Sequence, residues 1–110
     1  MGSMCHHAIV VTAFKNYIPE AHAKAKEIIE APDKFGHSNK LVSEIIESNI
    51  NAYWSFFIAA DGSKEGWDDS DLFNERRGEF IKWLRQSRSC SWALIQYGDE
   101  ENDNRMLECS

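Results

Sequence analysis

The stretch SFFIAADGSKEGWDDSD, Ser55 to Asp71, joins the end of one predicted element to the start of the next, and it decides the fold. Side chains of residues 51 to 60, NAYWSFFIAA, alternate between two faces, which predicts a β-strand. One face is apolar and is expected to pack beneath helices; it carries Trp54, Phe56 and Ile58. The opposite face is half polar and is expected to be partly open to solvent; it carries Tyr53, Ser55, Phe57 and Ala59.

The loop that follows contains Gly62 and Gly66, which allow the chain to turn. Acids and a serine occupy residues 68 to 71, where side-chain oxygens favour a helix N-terminus as caps and through the helix dipole. A helix is therefore predicted over Ser70–Gln86. Its apolar stripe consists of Phe73, Phe80 and Leu84.

Patterning elsewhere predicts further strands and one more helix. A strand over Ala8–Phe14 precedes an amphipathic helix with Pro19 in its first turn, and Pro32 ends that helix. Residues 40 to 48, KLVSEIIES, are predicted to pair with residues 51 to 60 as a β-hairpin. The remaining strands are Trp92–Tyr97 and Arg105–Cys109. The apolar stripe of the first helix consists of Ile18, Ala21, Ala25, Ile28 and Ile29.

This order, β-α-β-β-α-β with a fifth strand at one edge, predicts an α+β protein. The expected fold is a ferredoxin-like two-layer sandwich, in which two helices cover one antiparallel sheet. Another α+β arrangement, with a longer meander around the last hairpin, is the alternative.

The length of 110 residues fits one domain. Residues 1 to 3, Met-Gly-Ser, resemble a cloning scar ahead of Met4, so a single α+β domain is expected over residues 4 to 110. We find no apolar run of the roughly 20 residues that span a bilayer, and no signal-peptide pattern. A cytoplasmic protein without membrane contact is expected, and the three widely spaced cysteines argue against a disulfide framework.

The net charge of −6 is unevenly distributed. Acids concentrate in the loop at residues 61 to 71 and again at residues 99 to 103, whereas cations concentrate along the predicted second helix. Direct nucleic-acid binding is therefore disfavoured.

Motifs that would support catalysis or a cofactor are weak. Cys5, His6 and His7 are adjacent in a predicted strand, where neighbouring side chains point to opposite faces, so no metal site is expected. The loop DGSKEGW lacks the spacing of a phosphate-binding loop. No catalytic residue and no cofactor is assigned, which disfavours an enzyme.

Fold requirements account for the glycines and the acids of the central loop but leave four of its residues unexplained. These four and the open strand face form the candidate contact surface: Ser63, Lys64, Glu65 and Trp67, with Tyr53, Ser55 and Phe57. Tryptophan and tyrosine are common in protein interfaces. Trp67 and Trp83 are each interpreted either as a cap on the edge of the core or as an exposed anchor.

Three segments resemble a small protein type encoded by bacteriophages and prophages: FFIAADGSKEGWDDSD, RRGEFIKWL and WALIQYGDE. The resemblance implies a protein made inside a bacterial host cell that acts by binding a host protein as a modulator or inhibitor. A small ligand-binding domain or enzyme, with a pocket near Tyr53, Trp54 or Tyr97, is the alternative. A second alternative is an acidic mimic of nucleic acid. The partner is expected to be a host protein or a second copy of the chain, so a homodimer is also considered.

Overall fold

The computed structural model describes residues 4–64, 66–99 and 104–110, and it contains two helices and a five-stranded antiparallel sheet. The predicted α+β class is confirmed. In chain order the elements are β1 (Cys5–Phe14), α1 (Ile18–Ile29), β2 (Ile46–Glu47), β3 (Tyr53–Ile58), α2 (Asp68–Ser87), β4 (Ser91–Gly98) and β5 (Arg105–Cys109).

The sheet has the strand order β2-β3-β1-β4-β5. The central strand β1 pairs with β3 on one side and with β4 on the other, and both pairs are antiparallel. Val11 of β1, for example, lies between Phe56 and Trp92. Because β1 is apolar on both faces, a central position is the arrangement that its composition favours.

Both helices pack on one face of the sheet. Ile9 and Val11 of β1, together with Phe56 and Ile58 of β3, point toward the helices and are almost fully buried. The predicted stripe of α1 is confirmed, since its buried residues are Ile18, Ala21, Ala25, Ile28 and Ile29. Each fully buried large side chain contributes about 1.5–3 kcal/mol through removal of apolar surface from water.

Three predicted strand boundaries were wrong. Strand β3 covers Tyr53–Ile58 rather than residues 51 to 60, because Asn51 and Ala52 lie in the preceding turn with φ angles of +54° and +56°. Strand β1 begins at Cys5 rather than Ala8, because Cys5 and His7 pair with Gly98 and Gln96 of β4. The first hairpin strand is much shorter than residues 40 to 48: apart from an isolated bridge at Val42, only Ile46–Glu47 forms a ladder. The hydroxyl of Ser43 accepts the backbone N–H of Phe57, at 2.9 Å, and so replaces a ladder bond between strands.

The start of α2 also differs from the prediction. The helix begins at Asp68, and its N-cap residue is Trp67, which makes no side-chain capping hydrogen bond. The predicted capping role of the acids was therefore wrong. Asp68, Asp69 and Asp71 lie instead in the first turn, where they stabilise the helix through its dipole.

Trp83 caps the edge of the core, as one of its two interpretations predicted. Its ring stacks on Phe80, with centroids 6.0 Å apart and planes inclined by 9°, and it packs against the buried cluster. Within the described ranges, no helix is long and apolar enough to cross a membrane.

Candidate functional site

The loop between β3 and α2 is held by the carboxylate of Asp61. Gly62 and Gly66 have φ angles of +82° and +90°, which glycine adopts without strain. Between them, Ser63 donates its backbone N–H (3.3 Å) and its hydroxyl to the Asp61 carboxylate. The position of Ser63 therefore has a structural explanation that the sequence did not reveal.

Arg77, a residue of α2, holds this loop against the helix. Its guanidinium lies 3.1 Å from the Asp61 carboxylate, and the two side chains are only 6% and 9% exposed. A second guanidinium nitrogen donates to the Asn74 side-chain oxygen at 2.6 Å. Burial alone would raise the pKa of Asp61, but the hydrogen bonds from Ser63 and Arg77 outweigh it and hold that pKa below its ordinary value.

Arg76, the preceding residue, reaches the other helix. Its guanidinium donates to the carbonyl oxygens of Ile29 at 2.9 Å, Ala31 at 2.8 Å and Pro32 at 3.3 Å. These contacts satisfy acceptors that the end of α1 leaves without helical partners. The predicted basic face of α2 is consequently smaller than expected, because Arg76 and Arg77 both turn toward the protein.

Where α1 ends, residues 33 to 37 form a tight loop around Asp33. The Asp33 carboxylate accepts the backbone N–H groups of Phe35 and His37, both at 2.9 Å. The pKa of Asp33 is held below its ordinary value, first by the His37 backbone N–H, against a smaller desolvation effect. The loop presents Phe35 to solvent with its side chain 72% exposed.

These two loops border a groove, which we call the Trp67 groove. It consists of two adjoining hollows of about 280 and 460 Å³ that share Asp33, His37, Asp69, Leu72 and Arg76. Trp67, which is 53% exposed, lines one hollow, and Phe35 lines the other. In the part of the chain that the structure describes, neither Asp68 nor Asp69 forms a salt bridge. The groove therefore combines exposed aromatic rings with unpaired carboxylates.

A second surface is the side of the sheet that the helices leave uncovered, which we call the open face. Large apolar residues on it remain 37% to 58% exposed. They are Val10, Phe14, Ile46, Tyr53, Phe57, Tyr97 and Met106. Among the described strand residues, none on this face is Asp, Glu, Lys or Arg.

The predicted contact residues divide between these surfaces. Ser63 and Trp67 line the groove, whereas the three strand residues lie on the open face. Lys64 is half-buried and lines neither hollow; its carbonyl oxygen accepts the Trp67 N–H at 3.2 Å. Glu65 lies outside the described residues. The strand residues are Tyr53, Ser55 and Phe57.

The alternative ligand pocket finds limited support in the geometry. Tyr53 borders a shallow hollow of about 230 Å³ beside Arg88 and Ser89, at the end of the sheet. Trp54 packs against the core, and Tyr97 lies on the open face. Within residues 4–64, 66–99 and 104–110, no three His, Cys, Asp or Glu side chains cluster closely enough to hold a metal ion.

The acidic segments leave the sheet at one end. Strand β3 ends beside the start of β1, where Ile58 pairs with Ile9, and β4 ends there too, where Gly98 pairs with Cys5. The acidic loop after β3 and Asp99 after β4 therefore follow strands that end on the same side. The other predicted acids of the second segment, at residues 100 to 103, lie outside the described residues.

Comparisons with known proteins assign no family to this chain: no protein-family model matches it, and no curated protein or solved structure shows significant similarity to it.

Proposed function

We propose that the protein acts by binding a segment of another protein in the Trp67 groove, without catalysing a reaction. The observation that carries this proposal is the pair of exposed aromatic side chains, Trp67 and Phe35, that border a groove lined by Leu72 and several polar side chains. Large exposed aromatic residues beside a concavity are typical anchors of protein interfaces.

The charges of the groove favour a basic partner. Its cations are already engaged, since Arg76 donates to three carbonyl oxygens and the Lys34 ammonium lies 5.1 Å from the centre of the Phe35 ring. Asp68 and Asp69 remain available as carboxylates. We therefore expect a partner segment with an apolar side chain over Leu72 and a Lys or Arg beside it.

The resemblance to phage- and prophage-encoded proteins makes a bacterial protein the expected partner, with modulation or inhibition of that protein as the outcome and the host cytoplasm as the compartment. We also propose that the architecture is a ferredoxin-like sandwich extended by β5. The order β2-β3-β1-β4 and the βαββαβ succession support this reading, and β5 adds one strand beyond that pattern.

A capture experiment from bacterial lysate tests the proposed function. The tagged protein, a Trp67→Ala variant and a Phe35→Ala variant are compared with Ile50→Ala, a control that removes another exposed apolar side chain, from the turn between β2 and β3. We expect a stoichiometric partner that the protein and the control retain and that both groove variants lose. Equal retention by Trp67→Ala would exclude the groove as the binding site.

The shared position of the acidic segments supports a second candidate function, mimicry of nucleic acid. Asp68, Asp69 and Asp71 are exposed in the first turn of α2, near the end of the sheet from which Asp99 also leaves. The test is displacement of a labelled DNA duplex from a basic DNA-binding protein. Displacement that weakens in an Asp68→Asn, Asp69→Asn double variant would favour mimicry, and no displacement would eliminate it.

A further inference from the structure

We propose that the open face of the sheet is a homodimer interface, on which a second copy of this chain packs its own open face about a two-fold axis. The proposal does not rest on the Trp67 groove, which lies on the helical side of the molecule. It rests on the area, the charge and the hydrogen bonding of the open face.

The exposed apolar area is at the upper limit of what a monomer usually leaves in water. Seven large side chains with 37% to 58% of their surface exposed lie on this one face. Together they expose on the order of 600 Å², at the upper end of the largest apolar patch of typical monomers. Half-buried neighbours such as Ala93 and Ile95 add to this area, which approaches the roughly 800 Å² per partner of a standard interface.

The described strand residues of this face include no Asp, Glu, Lys or Arg, and this absence of charge favours a second copy of the chain as the molecule that covers the face. A nucleic acid would need cations opposite its phosphates, and the described strand residues of the open face include no Lys or Arg. A charged protein surface would lose its hydration without gaining ionic partners. A second copy presents the same uncharged surface, so that neither partner buries an unpaired charge.

The polar groups at the centre of the face can be buried at low cost. The hydroxyls of Thr12 and Ser55 lie 2.8 Å apart and hydrogen-bond to each other, so covering them leaves no unsatisfied donor between the two. Tyr53 and Tyr97 lie toward opposite ends of the sheet, where they contact Phe14 and His6. Their hydroxyls can therefore reach water at the rim of the interface.

The two-fold axis passes near Val10. This residue lies in the middle of β1, the central strand of the five, and it pairs with Phe57 and Ala93. In an isologous interface a residue near the axis meets its own copy. A charge introduced at Val10 would consequently be placed near an identical charge inside an apolar interface.

Sedimentation equilibrium tests the proposal at protein concentrations between about 1 and 200 μM. In this range a dimer with a standard-size interface can be distinguished from a monomer. The protein is expected at twice its monomer mass of 12.6 kDa. Val10→Lys should raise the dimer dissociation constant by at least about a hundredfold, because like charges meet in a desolvated site. Ile50→Lys adds the same charge to a 75% exposed turn residue and should leave the constant within about threefold. Trp67→Ala should remain dimeric.

Several outcomes would overturn the proposal. They are a monomer at the highest concentration, a folded Val10→Lys variant that dimerises as tightly as the parent, and dissociation by the Ile50→Lys change. If circular dichroism shows that Val10→Lys is unfolded, Phe57→Lys on the neighbouring strand replaces it, with the same expected weakening. Added NaCl should not weaken the dimer, since each copy carries a net charge of −6 and the interface contains no ion pair.

Discussion

Removal of the Asp61 carboxylate should destabilise the protein far more than a change in an ordinary surface loop. The Arg77 side chain is only 6% exposed in the parent protein, so an Asp61→Ala variant leaves a buried guanidinium without its ionic partner, while Asn74 supplies only a neutral acceptor. Loss of one partner of a buried ion pair costs about 3–5 kcal/mol. We expect a value near 3 kcal/mol, because the loop can rearrange to admit water.

The reverse change should cost less. In Arg77→Met the methionine fills the buried space, and Asp61 keeps the two hydrogen bonds from Ser63, so we expect a loss of about 2 kcal/mol. The double variant no longer contains either buried charge. It should therefore lose about 3 kcal/mol rather than the sum, which corresponds to a coupling energy of about 2 kcal/mol.

Urea unfolding followed by tryptophan fluorescence measures these quantities. Trp54, Trp83 and Trp92 pack against or within the core and report its loss. A stability of about 5–15 kcal/mol is usual for a domain, so every variant should remain folded in water with a lower midpoint. If the effects of the two single changes add to within about 0.5 kcal/mol, the pair does not hold the loop and the argument fails.

Two further measurements test the electrostatics and the backbone of the same region. The free energy of unfolding should fall as the pH drops below about 5, because the pKa of Asp61 is below its ordinary value in the folded state and the unfolded chain therefore binds the proton first. In urea titrations at several pH values, Asp61→Asn should reduce the dependence of the free energy of unfolding on pH. An unchanged pH dependence would contradict the assignment. In thermal unfolding, Gly62→Ala should destabilise the protein by about 1 kcal/mol, because the φ angle of Gly62 is +82°. Gly78→Ala should instead stabilise it by about 0.5–1 kcal/mol, because Gly78 lies inside α2 and the added Cβ meets no neighbouring atom within 4 Å. Shifts in the same direction for both glycine variants would refute the backbone reasoning.

Local periodicity was sufficient to predict most of the fold. The stripe of α1 and the alternation in β3 repeat over many residues, and burial of their apolar faces is the main stabilising contribution to the domain. The short β2 was not predictable in this way. The backbone N–H of Ser43 still donates to the Phe57 carbonyl, but the Ser43 hydroxyl instead of a backbone carbonyl accepts the Phe57 N–H, and such a side-chain bond has no periodic signature.

The sequence did not reveal the roles of Arg76 and Arg77, because the groups to which these arginines bind are distant in sequence. Arg77 pairs with a residue 16 positions away, and Arg76 contacts carbonyl oxygens 44 to 47 positions away. One signal was present for Arg77, which falls between Phe73 and Phe80 on the apolar stripe of α2. A lone cation on such a stripe indicates a buried partner, but it does not identify which acid that partner is.

Arg76 and Arg77 are neighbours on α2, and together they hold the two chain segments that border the Trp67 groove. One arginine fixes the segment that carries Phe35, and the other fixes the loop that carries Trp67. Any molecule that contacts both rings would link the loop after α1 to the loop before α2. Binding of such a molecule would stabilise the folded protein by mass action. An increase in melting temperature can therefore detect a bound segment even when no chemical reaction takes place.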